Sequence, residues 1–121
     1  VEYNNDWSKK LNARHFKTPY KRNYNRLLRS VRLKNLECDI TYKDYLIFTE
    51  EKDCSYCGDS IPWIPHGKKA NGYYLDRLDN TKGYLKKNCA VCCTECNFLK
   101  SNLCKGQFLA RIHRIYKNTL E

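Results

Sequence analysis

The sequence predicts a small α+β domain: helices toward both ends, a pair of short strands between them, and a cysteine cross-link across the middle. Three observations predict it. Apolar residues recur at helical spacing near the N-terminus and again near the C-terminus. Short apolar runs separated by turn residues lie between them, and two Cys-x-x-Cys pairs bracket those runs. A chain of 121 residues is one domain by size, with room for an appended arm. It buries only a modest core, so a cross-link has much to contribute.

The elements follow in order. Residues 1–35 read as a basic arm ending in a helix, and residues 36–121 as the cross-linked domain. The arm carries ten Lys and Arg against only Glu2 and Asp6, with Tyr3, Trp7, Phe16, Tyr20 and Tyr24 interleaved. That pattern suits a segment lying along a phosphate backbone. Thr18-Pro19 predicts a helix start, Thr18 as N-cap and Pro19 at the first helical position. Tyr24, Leu27, Leu28 and Val31 form its apolar face, which leaves Arg22, Arg26 and Arg29 to water or to phosphate. Glu37 to Ile40 reads as extended. Thr41 caps a second helix with Asp44 completing a capping box, and Tyr45, Leu46 and Phe48 are its core contacts. Residues 53–65 read as a cysteine knuckle and loop, because Gly58, Pro62 and Pro65 exclude helix. Tyr73–Leu78 is a strand, Asp79–Gly83 a turn, Asn88–Cys92 a returning strand and Thr94–Lys100 a short helix. A last helix carries Phe108, Leu109, Ile112, Ile115 and Tyr116 on one side and Arg111, Arg114 and Lys117 on the other.

Charge narrows the partners. Lys and Arg total 23 against 13 Asp and Glu, a net charge of +10. So strong an excess on so short a chain points to a polyanion, whose condensed counterions are released on binding. A membrane-surface role would need a strongly amphipathic anchor, and no apolar run approaches the ~18 residues that span a bilayer. Val1 to Asn5 is too polar for a secretory signal. The expected setting is an intracellular, reducing compartment, and the eight cysteines are then a metal framework rather than disulfides.

Cys54 and Cys57 form one pair, and after 35 intervening residues Cys93 and Cys96 form another. Four thiolates make a closed tetrahedral zinc site. Ordinary zinc ribbons separate their pairs by roughly 15–20 residues, so the excess must fold as a unit of its own, and strand–loop–strand–helix fits. Cys89 and Cys92 are also a Cys-x-x-Cys. Cys93 and Cys96 are preferred because they sit where strand gives way to helix. Cys38 and Cys104 read as small buried apolar residues.

The segment Tyr73-Tyr74-Leu75-Asp76-Arg77-Leu78-Asp79-Asn80-Thr81-Lys82-Gly83-Tyr84, then Lys87-Asn88, Cys92-Cys93-Thr94-Glu95-Cys96-Asn97 and Lys100, resembles the HNH family of His-Me-finger nucleases. Cys54-Ser55-Tyr56-Cys57-Gly58 matches the knuckle of its zinc-containing branch, and the likeness runs from about residue 37 to 117. The resemblance implies a zinc-stapled ββα-metal core. It implies Asp76 and Asn97 as ligands of a catalytic magnesium or manganese ion, and Asn88 as the residue that orients the general base. The base position, His in the family, is Arg77 here. Arginine is effectively always protonated and cannot take a proton from water, though it can clamp a phosphate. His66, on the loop ahead of the first strand, is the leading substitute; Tyr73, Tyr74 and Asp79 are weaker ones.

Two functions are expected from this reading. One is a divalent-metal-dependent endonuclease acting on DNA. The other, favoured by Arg77 and the basic arm, is a non-cutting structural protein of a ribosome or another ribonucleoprotein, with RNA as its partner.

Overall fold

In a computed structural model of the chain, residues 18–67 and 72–120 are described. Helix α1 spans Lys21–Lys34, α2 Tyr42–Phe48, strand β1 Leu75–Arg77, β2 Cys89–Val91, α3 Thr94–Lys100 and α4 Lys105–Thr119, with one 3-10 turn at Lys86–Asn88. The strands pair antiparallel, Leu75 opposite Val91, Asp76 opposite Ala90 and Arg77 opposite Cys89. This is the small α+β fold expected, with a ββα unit formed by β1, β2 and α3. Residues 1–17 of the predicted arm lie outside the described residues.

Helix α1 starts later than the sequence predicts. Its N-cap is Tyr20, in a left-handed conformation (φ 60°) with no side-chain cap, rather than Thr18. Tertiary contacts explain the shift. The Tyr20 N–H donates to Pro65 O at 2.9 Å, and the Tyr42 hydroxyl donates to Pro19 O at 2.6 Å. The chain is thereby held in a turn through the two residues that were to open the helix. Helix α2 begins as expected: Thr41 Oγ1 accepts from the Asp44 N–H at 3.1 Å and Asp44 Oδ2 from the Thr41 N–H at 2.9 Å, satisfying two orphan donors.

The main core gathers Tyr24 and Leu27 of α1, Ile40, Tyr45 of α2, Ile61, Tyr74, and Leu75 and Val91 of the sheet. Helix α1 therefore packs as part of the same core as the strands. Trp63 supplies the centre of the aromatic packing. Its ring lies edge-on to Tyr20, Tyr45 and Tyr74, with centroids 5.7, 6.3 and 5.0 Å away, and each such pair adds about 0.5–1.5 kcal/mol beyond area burial. The indole N–H is satisfied by Glu51 O at 2.7 Å. Leu46, expected in the core, is only half-buried, while Tyr45 and Phe48 do pack there.

Helix α4 also differs from expectation. Phe108 alone of its apolar face is buried, edge-on to Tyr56 at 5.5 Å. Leu109, Ile112, Ile115 and Tyr116 are exposed. Periodicity shows that a helix has an apolar face, but not that the same chain covers it.

Candidate metal centre and nucleic-acid cleft

Two Cys-x-x-Cys turns meet at the base of the ββα unit. Gly58 closes the first turn at φ 82°, a conformation glycine adopts without strain. The Ser55 N–H donates to Val91 O at 2.9 Å, fastening the knuckle to β2. Cys93 is the N-cap of α3 and its Sγ accepts from the Cys96 N–H at 3.4 Å. The Sγ atoms of Cys54, Cys57, Cys93 and Cys96 all lie within 4.8 Å of one another, with Cys57 and Cys93 at 3.7 Å. A tetrahedron with Zn–S bonds of about 2.3 Å has edges of about 3.8 Å, so the donor set fits zinc. Cys89 and Cys92 are not part of it. Burial pushes both of their thiols up to about 12, as suits inert apolar residues.

Electrostatics fit a dication as well. Burial acts to raise the Cys54 thiol, but backbone N–H groups aimed at its sulfur outweigh burial and bring it down to about 6. Burial and then the neighbouring sulfurs push Cys96 far up. Four clustered thiols cannot all ionise unaided, and a bound Zn²⁺ lets them.

The strand ends define a cleft of about 690 Å³. One wall is α1, with Arg26, Arg29 and Lys34; the other is Asp76 and Arg77 of β1 with Asn97, Phe98 and Lys100 of α3. The Arg26 guanidinium stacks over the Tyr73 ring, 3.9 Å from its centroid. Of the sequence-predicted site residues, Asp76, Arg77 and Asn97 share this cleft. Asn88 is buried behind it. Its Oδ1 accepts from the Asp79 N–H at 2.9 Å, and its Nδ2 donates to Asp79 O at 2.9 Å and Gly83 O at 3.0 Å. Asn88 thus braces the 79–83 loop. Arg77 holds the same loop from the front, donating through Nη1 to Asn80 O at 3.1 Å and Lys82 O at 2.8 Å. His66 is not among the residues lining this cleft; it lines a second, with Lys21, Arg22 and Asn25.

The loop leaves no room at Gly83, where a Cβ would sit 2.2 Å from Glu37 O. Gly83→Ala is expected to lower stability by about 1–3 kcal/mol, measurable as a lower urea midpoint at unchanged slope.

Asp76 has two partners that sequence reasoning missed. Its Oδ2 accepts from the Tyr56 hydroxyl at 2.8 Å, and its Oδ1 lies 3.3 Å from the Lys100 ammonium. Burial first, then this hydrogen bond, pushes the Tyr56 phenol well above its usual range, so it stays a donor and is no base. Lys100 is 1% exposed. A signal for it existed: Cys93, Cys96, Asn97 and Lys100 fall at i, i+3, i+4 and i+7, one face of α3. Tyr56, inside a knuckle turn, had none. Both oxygens of Asp76 are engaged within the protein, and the Asn97 amide donates to Tyr73 O at 3.4 Å.

No protein-family model matches the chain. An uncharacterized protein, R423, of Acanthamoeba polyphaga mimivirus is 30% identical over an alignment of 97 residues that covers 75% of this chain but 17% of that protein. Among solved structures, the rare-cutting HNH restriction endonuclease PacI superposes with a TM-score of 0.60, covering 79% of this chain and 75% of that chain at 22% identity. The chain has the HNH fold. At that identity the likeness to PacI is one of fold. Within the HNH fold, the four-cysteine cluster brings the knuckle to the start of α3, and the cleft lies across the ββα unit. No helix among the described residues is long and apolar enough to cross a membrane.

Proposed function

We propose that the chain is an HNH-type nucleic-acid-binding domain acting on DNA, with phosphodiester cleavage as its reaction. The observation that carries this reading is the cleft itself, where Asp76, Arg77 and Asn97 of the ββα unit face Arg26, Arg29 and Lys34 of α1. Arg29 and Lys34 are exposed and suit the phosphates of a backbone laid along the helix. Tyr73 and Phe98, exposed at the rim, offer rings on which bases stack. Arg77 uses one terminal nitrogen on loop carbonyls, which leaves Nε and Nη2 as donors to the scissile phosphate. Its loop bonds and the Asn88 brace hold that guanidinium still, so its charge is preorganised where negative charge would develop. The proton of the attacking water goes to a group other than Arg77 or Tyr56. His66 fills that role only if substrate binding brings its loop across α1. Four thiolates on zinc suit a reducing compartment.

A second reading is favoured by one observation, the ammonium of Lys100 against Asp76 together with Arg77 at the base position. In it the domain binds without cutting, as a structural element on DNA or on the RNA of a ribosome or other ribonucleoprotein. A cleavage assay on plasmid, single-stranded DNA and RNA with magnesium or manganese separates the two. Endonuclease action gives DNA products; tight, salt-sensitive binding with intact nucleic acid under both metals gives the second reading. In either case the cleft is tested by Arg29→Ala and Lys34→Ala. Each is expected to weaken DNA binding and to lower the slope of log affinity against log salt by about 1. Unchanged affinity and slope in both would move the nucleic acid elsewhere.

A further inference from the structure

Asp76 is paired within the protein. The residue is 6% exposed, and Lys100, its ion-pair partner, is 1% exposed. The ammonium also donates to Arg77 O at 2.8 Å, so it is anchored to β1 by a strand carbonyl as well as by the carboxylate. Its placement follows from α3. The helix opens on the cysteine pair at 93 and 96, and Lys100 lies one turn beyond Asn97 on the same inward face. The four-cysteine staple thereby sets the helix register that delivers Lys100 to the strand.

We propose that Lys100 is the resident cation of Asp76, and that its ammonium and a divalent ion exclude one another there. The expectation that a dication is offered to Asp76 at all rests on the HNH reading above. The physical case rests on geometry. Magnesium and manganese need near-octahedral oxygen ligands at roughly 2.1 Å. At Asp76, Oδ2 already takes the Tyr56 hydroxyl and Oδ1 faces the ammonium at 3.3 Å. A dication bound to Oδ1 would stand beside a fixed positive charge in a site nearly closed to water, where repulsion is poorly screened. Removing the ammonium leaves a buried carboxylate without its counter-ion, which is a vacancy that a dication can fill.

The test is Mn²⁺ titration of the zinc-loaded protein, followed by electron paramagnetic resonance. Wild type is compared with Lys100→Met and with Lys100→Met/Asp76→Asn. The expected result is Mn²⁺ binding tighter by at least about ten-fold in Lys100→Met, with the gain abolished in the double variant. Equal affinities, or a gain that survives Asp76→Asn, would overturn the proposal. If Lys100→Met does not fold, a crystal structure of the wild type grown with Mn²⁺ decides. An ion on Asp76 with the ammonium still in contact overturns exclusion; an ion with Lys100 swung away, or no ion on Asp76, supports it. DNA binding by the Arg29 and Lys34 variants is read separately. A functional reading that fails there leaves the exchange at Asp76 standing, and the reverse also holds.

Discussion

Cys54→Ser, or removal of metal by a chelator, is expected to abolish cooperative folding. The sulfurs of Cys54, Cys57, Cys93 and Cys96 join two segments far apart in the sequence. The turn at 54–58 meets the ββα unit through the Ser55–Val91 backbone bond and the contact of Tyr56 with Asp76, while Ile61 and Trp63 carry the loop after it into the main core. Among the described residues, the buried cluster around the four sulfurs consists of Cys54, Cys92 and Cys96, with Tyr56 and Cys93 packed against it. Three small thiols bury too little apolar surface to hold a knuckle turn and a seven-residue helix in place. Structural zinc supplies apparent binding energies of about 10 kcal/mol or more, comparable to the ~5–15 kcal/mol total stability of a domain. Loss of one thiolate also leaves the remaining sulfurs crowded without their dication. Circular dichroism and thermal melts with and without chelator check this. An unchanged spectrum and midpoint after the metal is stripped would falsify the stapling role.

How far the sequence could be read follows from which features are local. The Thr41–Asp44 box is written in four consecutive residues, and it forms as expected. Helix α3 spans the seven residues predicted because a cysteine knuckle opens it and inward residues recur at helical spacing. The cysteine spacing identifies the metal cluster because thiolate chemistry needs four sulfurs and leaves few ways to supply them. What was not legible is tertiary. Tyr20 takes a left-handed conformation because Pro65, far along the chain, accepts its N–H. The wall that α1 gives to the cleft depends on how that helix lies across the sheet, so its arginines read only as a face left to water or to phosphate. His66 could be proposed as a base from its place ahead of β1, yet chain proximity does not decide which cleft a loop residue lines. The pairing of Asp76 with Lys100 is of the same kind: the stripe on α3 shows that Lys100 faces inward, and only the fold shows what it meets.

That pairing makes Asp76→Ala the second large effect, and one on stability before activity. The substitution removes the carboxylate that neutralises an ammonium 1% exposed to solvent. It also takes away the acceptor of the Tyr56 hydroxyl. Breaking one side of a buried pair costs about 3–5 kcal/mol, because the other charge is left uncompensated. In a domain of this size that corresponds to a fall in melting temperature of more than about 10 °C. Asp76→Asn keeps an oxygen acceptor for Tyr56 and is still expected to destabilise, since the ammonium still lacks its anion. Lys100→Met/Asp76→Asn removes both charges and is expected to recover much of the loss, because a neutral buried pair carries no such penalty. A double-mutant cycle on thermal or urea midpoints measures the coupling. A cycle that closes to within a few tenths of a kcal/mol would mean that the two side chains do not act as a pair. The same numbers decide how a cleavage assay is read. An inactive Asp76→Ala protein implicates the site only at temperatures where its melt shows it folded, and the charge-balanced double variant is the cleaner control for a carboxylate role in the reaction.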